Sequence, residues 1–123
     1  ASLAKRLSPG FILLLDGDLG AGKTTFTQEL MKALNVTDSV LSPTYTLVNR
    51  YGKDPYYYHI DLYRVIGLDA LSSLDLDTYF NLSEGGVIIE WAKQLESYKP
   101  EQYTQLDFEL LDAENRLIHE STV

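Results

Sequence analysis

The sequence predicts an α/β fold, a layered sandwich of helices about a mixed, mainly parallel sheet with an antiparallel hairpin portion. Three observations carry that expectation. Two short apolar runs, Phe11-Ile12-Leu13-Leu14-Leu15 and Val87-Ile88-Ile89, have strand length and no polar alternation, the pattern of strands buried on both faces. Lys23 to Leu34 has helical period, with Phe26, Leu30 and Ala33 or Leu34 on one face and Gln28, Glu29 and Lys32 elsewhere. Along the chain the order is strand, helix, several strands, helix, strand, helix, strands, which suits helices packed on a mixed sheet.

Taken in order, Ser2 to Leu7 reads as the end of a helix, broken by Ser8-Pro9-Gly10. The first buried strand, a glycine-rich turn and the amphipathic helix come next. Ser39 to Leu41 reads as a short strand, and Ser42-Pro43-Thr44-Tyr45 as a turn, because proline pushes Ser42 away from helical angles. Thr46 to Tyr51 and Tyr56 to Tyr63 are β-rich and flank the turn residues Gly52-Lys53-Asp54-Pro55, which predicts a hairpin. Asp69 to Phe80 reads as a helix burying Leu71, Leu74 and Tyr79. Gly85-Gly86 leads into the second buried run, which ends on Glu90. Trp91 to Tyr98 reads as a short helix stopped before Pro100, and the tail from Tyr103 as two strands around Asp112-Ala113-Glu114-Asn115.

The 123 residues are expected to form a single domain, residues 1–123, with further sequence upstream of Ala1. With 45% apolar and 23% charged residues the chain can bury a working core. The absence of cysteine excludes disulfides, thiolate metal sites and cysteine nucleophiles, and suits a reducing, cytoplasmic location. Phe11 to Leu15, the longest apolar run, is far too short to cross a bilayer, so no membrane partner is expected. The net charge of −8 argues against a chain that grips a nucleic-acid backbone by itself, since phosphate contacts need a basic surface. A basic protein partner suits it better.

The turn after the first strand carries the chemistry. Gly17-Asp18-Leu19-Gly20-Ala21-Gly22-Lys23-Thr24 matches G-x-x-x-x-G-K-[ST] at every position, with a buried strand entering and an amphipathic helix leaving. Small residues let successive backbone amides turn inward on a phosphate, and the start of the helix adds unsatisfied N–H groups and its positive dipole end. Lys23 is placed to reach the β- and γ-phosphates and Thr24 to ligate Mg²⁺. The fold is therefore expected to be P-loop NTPase-like, with the phosphates of a nucleoside triphosphate bound from Gly17 to Thr24. No guanine-reading Asn-Lys-x-Asp stretch is present, which favours ATP.

A P-loop site needs a carboxylate near the magnesium, at the end of a neighbouring strand. Glu90, closing a fully apolar run, is the first choice. Asp61, inside the β-rich Tyr58-His59-Ile60-Asp61, either shares that role or orients the attacking water. His59 alternates onto the face of Asp61 and is read as a hydrogen-bonded packing residue. The nine tyrosines are read mainly as strand packing. Thr44 lies where nucleotide switches often place a hydroxyl, although composition alone favours a plain turn.

GDLGAGKTT (Gly17 to Thr25), SPTYTLV (Ser42 to Val48), HIDLYR (His59 to Arg64) and IEW (Ile89 to Trp91) together resemble the bacterial TsaE family, in order and in rough spacing. The resemblance implies a small ATPase of tRNA threonylcarbamoyladenosine synthesis that regulates or resets a transferase complex of the TsaD and TsaB proteins, meeting tRNA only through that complex. It implies Leu19 to Thr24 around the phosphates, with Thr25 closing the matched nucleotide-binding stretch. It also implies Thr24 and Glu90 at magnesium, Thr44 and Asp61 in the switch and catalytic region, and Trp91 beside the site. Lys23, Asp61 and Glu90 make up the expected catalytic set. Family members usually carry more sequence before the P-loop strand, including part of the base pocket.

The leading expectation is a slow ATPase dependent on its partners, because no arginine is visibly placed to stabilise the charge developed in phosphoryl transfer. Two other functions fit a P-loop: a kinase acting on a small molecule or protein, and a nucleotide-sensing module without useful hydrolysis.

Overall fold

β1 (Phe11–Gly17) runs through the middle of the molecule because its side chains have no solvent-facing side: Leu13, Leu14 and Leu15 are fully buried. In this computed structural model the described residues are 5–17, 23–36, 48–52, 55–62, 76–95, 98–110 and 116–122. They include five further strands, β2 (Val48–Gly52), β3 (Tyr56–Asp61), β4 (Gly86–Glu90), β5 (Thr104–Leu110) and β6 (Arg116–Thr122). The helices are α1 (Lys23–Ala33) and the single turn α2 (Leu76–Phe80), with a 3₁₀ helix over Ala92–Leu95.

The strands form one six-stranded sheet in the order β2-β3-β4-β1-β5-β6. The four central strands are mutually parallel, and β2 and β6 close the edges as antiparallel partners of β3 and β5. A parallel sheet must be covered on both faces, and strict alternation along the strands divides the core in two. Ile12, Leu14, Ile60, Val87 and Ile89 point to one face, packed with Leu76 of α2 and with Ala92 and Leu95 of the 3₁₀ helix. Leu13, Leu15, Ile88, Leu106 and Phe108 point to the other, under Leu30 and Met31 of α1. The result is the expected three-layer sandwich.

α1 ends where Asn35 adopts φ 65°: its N–H bonds to the Lys32 carbonyl and that of Val36 to the Met31 carbonyl, the paired pattern of a Schellman cap. The hairpin expected between residues 46 and 63 is present as β2 and β3, in register from Val48↔Ile60 to Gly52↔Tyr56. Of the helix expected over Asp69–Phe80, the part described is α2. Its fully buried residue is Leu76, with Tyr79 half-buried, while Leu71 and Leu74 lie outside the described residues. The helix expected from Trp91 is shorter than anticipated, because Trp91 itself has φ 60°, outside right-handed helical angles, and the 3₁₀ turn starts only at Ala92. Ser39 to Leu41 and the Ser42–Tyr45 turn lie outside the described residues. Among the described residues no helix is long and apolar enough to cross a membrane.

Candidate functional site at the carboxyl edge of the sheet

Parallel strands bring their carboxyl ends to a common edge, where open α/β sheets bind their ligands. Here that edge is defined by register. Asp61 pairs with Glu90, and Glu90 pairs in turn with Leu15, so the ends of β3, β4 and β1 stand side by side. Cross-strand neighbours share a face, which sets both carboxylates on the side covered by α1. The Leu62 N–H donates to the Glu90 carbonyl at 3.1 Å and ties the two strand ends together just beyond the acids.

Glu90 is the only buried carboxylate among the described residues, at 4% exposure. A carboxylate withdrawn from water needs a hydrogen-bonding partner. His59, fully buried, supplies it: Nε2 lies 2.5 Å from Glu90 Oε2. In register His59 faces Ile88, so it reaches Glu90 along the diagonal to the next residue on the same face. The other ring nitrogen, Nδ1, is buried and has no hydrogen-bond partner among the described residues. Reading His59 as a hydrogen-bonded packing residue is thus correct as far as it goes, but its partner is the acid expected at the metal. Its alternation with Asp61 was the available signal. The pairing itself depends on β3 lying beside β4, which no local pattern reveals.

The turn after Glu90 is held from β1. Asp16, to which the sequence assigns no role, accepts the Lys93 backbone N–H at 2.8 Å through Oδ1 and the Gln105 side-chain amide at 2.8 Å through Oδ2. One carboxylate therefore joins the strand leading into the glycine-rich turn, the 3₁₀ turn after Glu90 and β5. Trp91 holds its left-handed conformation at a cost of about 1–3 kcal/mol, and that conformation turns the chain sharply off the sheet directly after Glu90. Its ring packs against the cluster on the face away from α1, with Lys93 Nζ 5.0 Å from the ring centroid. Trp91 thus adjoins the edge in sequence while its ring contacts the opposite core.

Gly17, the first residue of the motif, closes β1 with φ 143° opposite Phe108 of β5. A Cβ there would lie 2.5 Å from the Phe108 carbonyl oxygen, so glycine is needed both for its dihedral and for the close approach of β5. Asp18 to Gly22 and Thr44 lie outside the described residues. Lys23, Thr24 and Thr25 open α1, the side chains of Lys23 and Thr24 also lying outside them, and Thr25 is exposed. The structure thus brings Gly17, Asp61 and Glu90 to one edge, with α1 covering the shared face.

Among the described residues no group of three His, Asp or Glu side chains forms a metal cage. The donor set suits magnesium, which keeps several waters and takes one or two carboxylates beside phosphate oxygens. A separate cleft of about 840 Å³, lined by Arg6, Phe11, Asp77, Phe80, Tyr98 and Tyr103 among others, opens at the starts of β1 and β5, the opposite edge of the sheet.

A mainly parallel six-stranded sheet covered on both faces, with a buried acid at the carboxyl end of β4, defines a three-layer α/β protein. Residues 1–118 match the family model described as Threonylcarbamoyl adenosine biosynthesis protein TsaE. The chain belongs to that family. It is 46% identical over 106 residues to the tRNA threonylcarbamoyladenosine biosynthesis protein TsaE of Nostoc sp., covering 82% of this chain and 64% of the relative. With the protein of the same name from Bacillus subtilis it shares 43% identity over 100 residues, 80% of this chain and 61% of the relative. The crystal structure of Bacillus subtilis YdiB superposes with a TM-score of 0.76 at 33% identity, covering 98% of this chain and 72% of that one. The matched region therefore spans somewhat under two thirds of those two curated relatives.

Proposed function

We propose that this chain binds ATP with magnesium at the carboxyl edge of its sheet and hydrolyses it slowly, in support of threonylcarbamoyladenosine formation on tRNA. The observation that carries this reading is the juxtaposition of Glu90, buried and hydrogen-bonded at the end of β4, with the strand end from which Gly17 to Thr24 lead into α1. The names of the relatives supply the pathway.

In this reading the amides of Asp18 to Gly22 and the amino end of α1 bind the phosphates, and Lys23 neutralises their charge. Thr24 and Glu90 are the residues that would hold magnesium, which when bound supplies charge neutralisation across the phosphate oxygens. Asp61, one strand over and on the same face, is positioned to orient water for attack at the γ-phosphorus. Thr44 acts as the hydroxyl of a switch segment and Trp91 stands beside the nucleotide. The partners are the TsaD and TsaB proteins, which supply what this acidic domain lacks to stabilise the transition state and contact the tRNA. The ATPase regulates or resets them and is not itself the transferase.

The test is single-turnover and steady-state ATP hydrolysis by the protein alone and with the TsaD–TsaB pair. A slow basal rate that rises at least about tenfold with the pair is expected, the range over which one supplied charge acts being far larger. Equal rates with and without the pair refute the regulatory role, and a phosphorylated acceptor found by mass analysis replaces it with a kinase.

A further inference from the structure

We propose that His59 is a positioning residue for magnesium, acting through Glu90; the inference rests on the nucleotide reading above. Three observations converge on it. His59 is fully buried, so no contact with solvent accounts for an ionisable ring in the sheet. Its Nε2 is committed to a single oxygen, Glu90 Oε2, at 2.5 Å. Its Nδ1 has no hydrogen-bond partner among the described residues, so among them the ring's polar contact is with Glu90.

A carboxylate at the end of a strand has two soft torsions near its oxygens and can turn either oxygen towards an ion. A bond to Oε2 from a fully buried ring restricts that freedom and leaves Oε1 outside the bond. Partners of this kind, one step removed from a metal, commonly change metal affinity by about 10- to 100-fold when altered. His59 is well suited to the task. It lies in a central parallel strand, fully buried, with Ile88 beside it in register on the same face of the sheet, so packing from the next strand holds the ring.

Two substitutions separate this role from mere packing. His59→Gln places an amide N–H near the position of Nε2 and retains the bond to Glu90. His59→Asn carries its amide nearer the position of Nδ1 and falls short. The readout is Mn²⁺ uptake in the presence of ADP, followed by electron paramagnetic resonance, with ADP binding in EDTA as the metal-free reference. His59→Asn is expected to weaken Mn²⁺ uptake by about 10- to 100-fold with metal-free ADP binding unchanged, and His59→Gln to stay within about threefold of the parent. Equal losses in both variants, or no loss in His59→Asn, overturn the proposal while leaving the nucleotide reading intact. Failure of the parent to take up Mn²⁺ with ADP overturns that reading first, and this one with it.

If His59→Asn does not fold, the parent protein decides the matter. Long-range ¹H–¹⁵N spectra, with His119→Gln used to assign the two histidines, should show the Nε2–H form of His59, and its ring signals should move when Mg²⁺ and ADP are added. A ring protonated only on Nδ1, or signals unmoved by Mg²⁺ and ADP, overturn the positioning role.

Discussion

Replacing Gly17 by alanine should cost the protein a large part of its stability. The new Cβ would lie 2.5 Å from the carbonyl oxygen of Phe108 and 2.9 Å from its Cβ, whereas comfortable carbon contacts begin at about 3.5 Å. The obstacle is backbone. Phe108 is held on one side by its register with Gly17 and on the other by its pairing with Ile118 of β6, so it cannot swing aside as a side-chain tip would. Two costs add. A φ of 143° strains an L-residue by about 1–3 kcal/mol. Forcing β5 outward adds about 1–3 kcal/mol of overpacking. The sum, about 2–6 kcal/mol, is a large fraction of the roughly 5–15 kcal/mol that holds a domain together.

At roughly 4 °C per kcal/mol for a domain of this size, the Gly17→Ala midpoint should fall by about 8–24 °C. Thermal unfolding followed by far-ultraviolet circular dichroism measures it, with urea unfolding to confirm that the slope is unchanged. A fall smaller than about 2 °C would mean that β5 does not press on the end of β1, and that glycine is not required there.

Two further outcomes rest on the same geometry. Asp16→Ala removes acceptors for the Lys93 N–H and the Gln105 amide, and should destabilise the protein by about 1–3 kcal/mol, with Asp16→Asn recovering part of the loss; chemical denaturation measures both, and equal stability of all three proteins contradicts the brace. The Arg6 guanidinium, bonded to both oxygens of Glu120, holds that carboxyl below its ordinary value of 4.5, so the pair's contribution is present above the usual carboxylate range and is lost only as pH falls through the lowered value. A carbon-13 titration should find the Glu120 midpoint below 4.5, and Arg6→Ala should restore it; identical midpoints in the two proteins contradict the pairing. Global stability should scarcely change, because the pair is solvent-exposed.

Much of this molecule is legible in its sequence because its strongest signals are local. Phe11 to Leu15 and Val87 to Ile89 have no polar alternation, so they had to be central strands, and the helical period from Lys23 onward foretells the helix that follows the first of them. The hidden part is set by which strands become neighbours. Nothing near Thr104 says that β5 pairs with β1, so neither the need for Gly17 nor the use of Asp16 could be foreseen. His59 and Glu90, thirty-one residues apart, become partners only because β3 lies against β4. The helix expected from Trp91 failed for a different reason. Its composition is helical enough, but the left-handed turn at Trp91 is imposed by the sheet's edge, where the Gln94 N–H bonds back to the Trp91 carbonyl and Asp16 holds the next turn.

Binding of a magnesium nucleotide at the carboxyl edge of this sheet, through the segment from Gly17 to Thr24, is tested most directly by isothermal titration. The protein and Lys23→Ala are each titrated with Mg²⁺ and ADP, and the single tryptophan, Trp91, gives a fluorescence check on the same samples. One saturable site is expected in the parent, weakened when Mg²⁺ is withdrawn and lost in Lys23→Ala. Heat signals that do not saturate, or an affinity unchanged by Lys23→Ala, would contradict it.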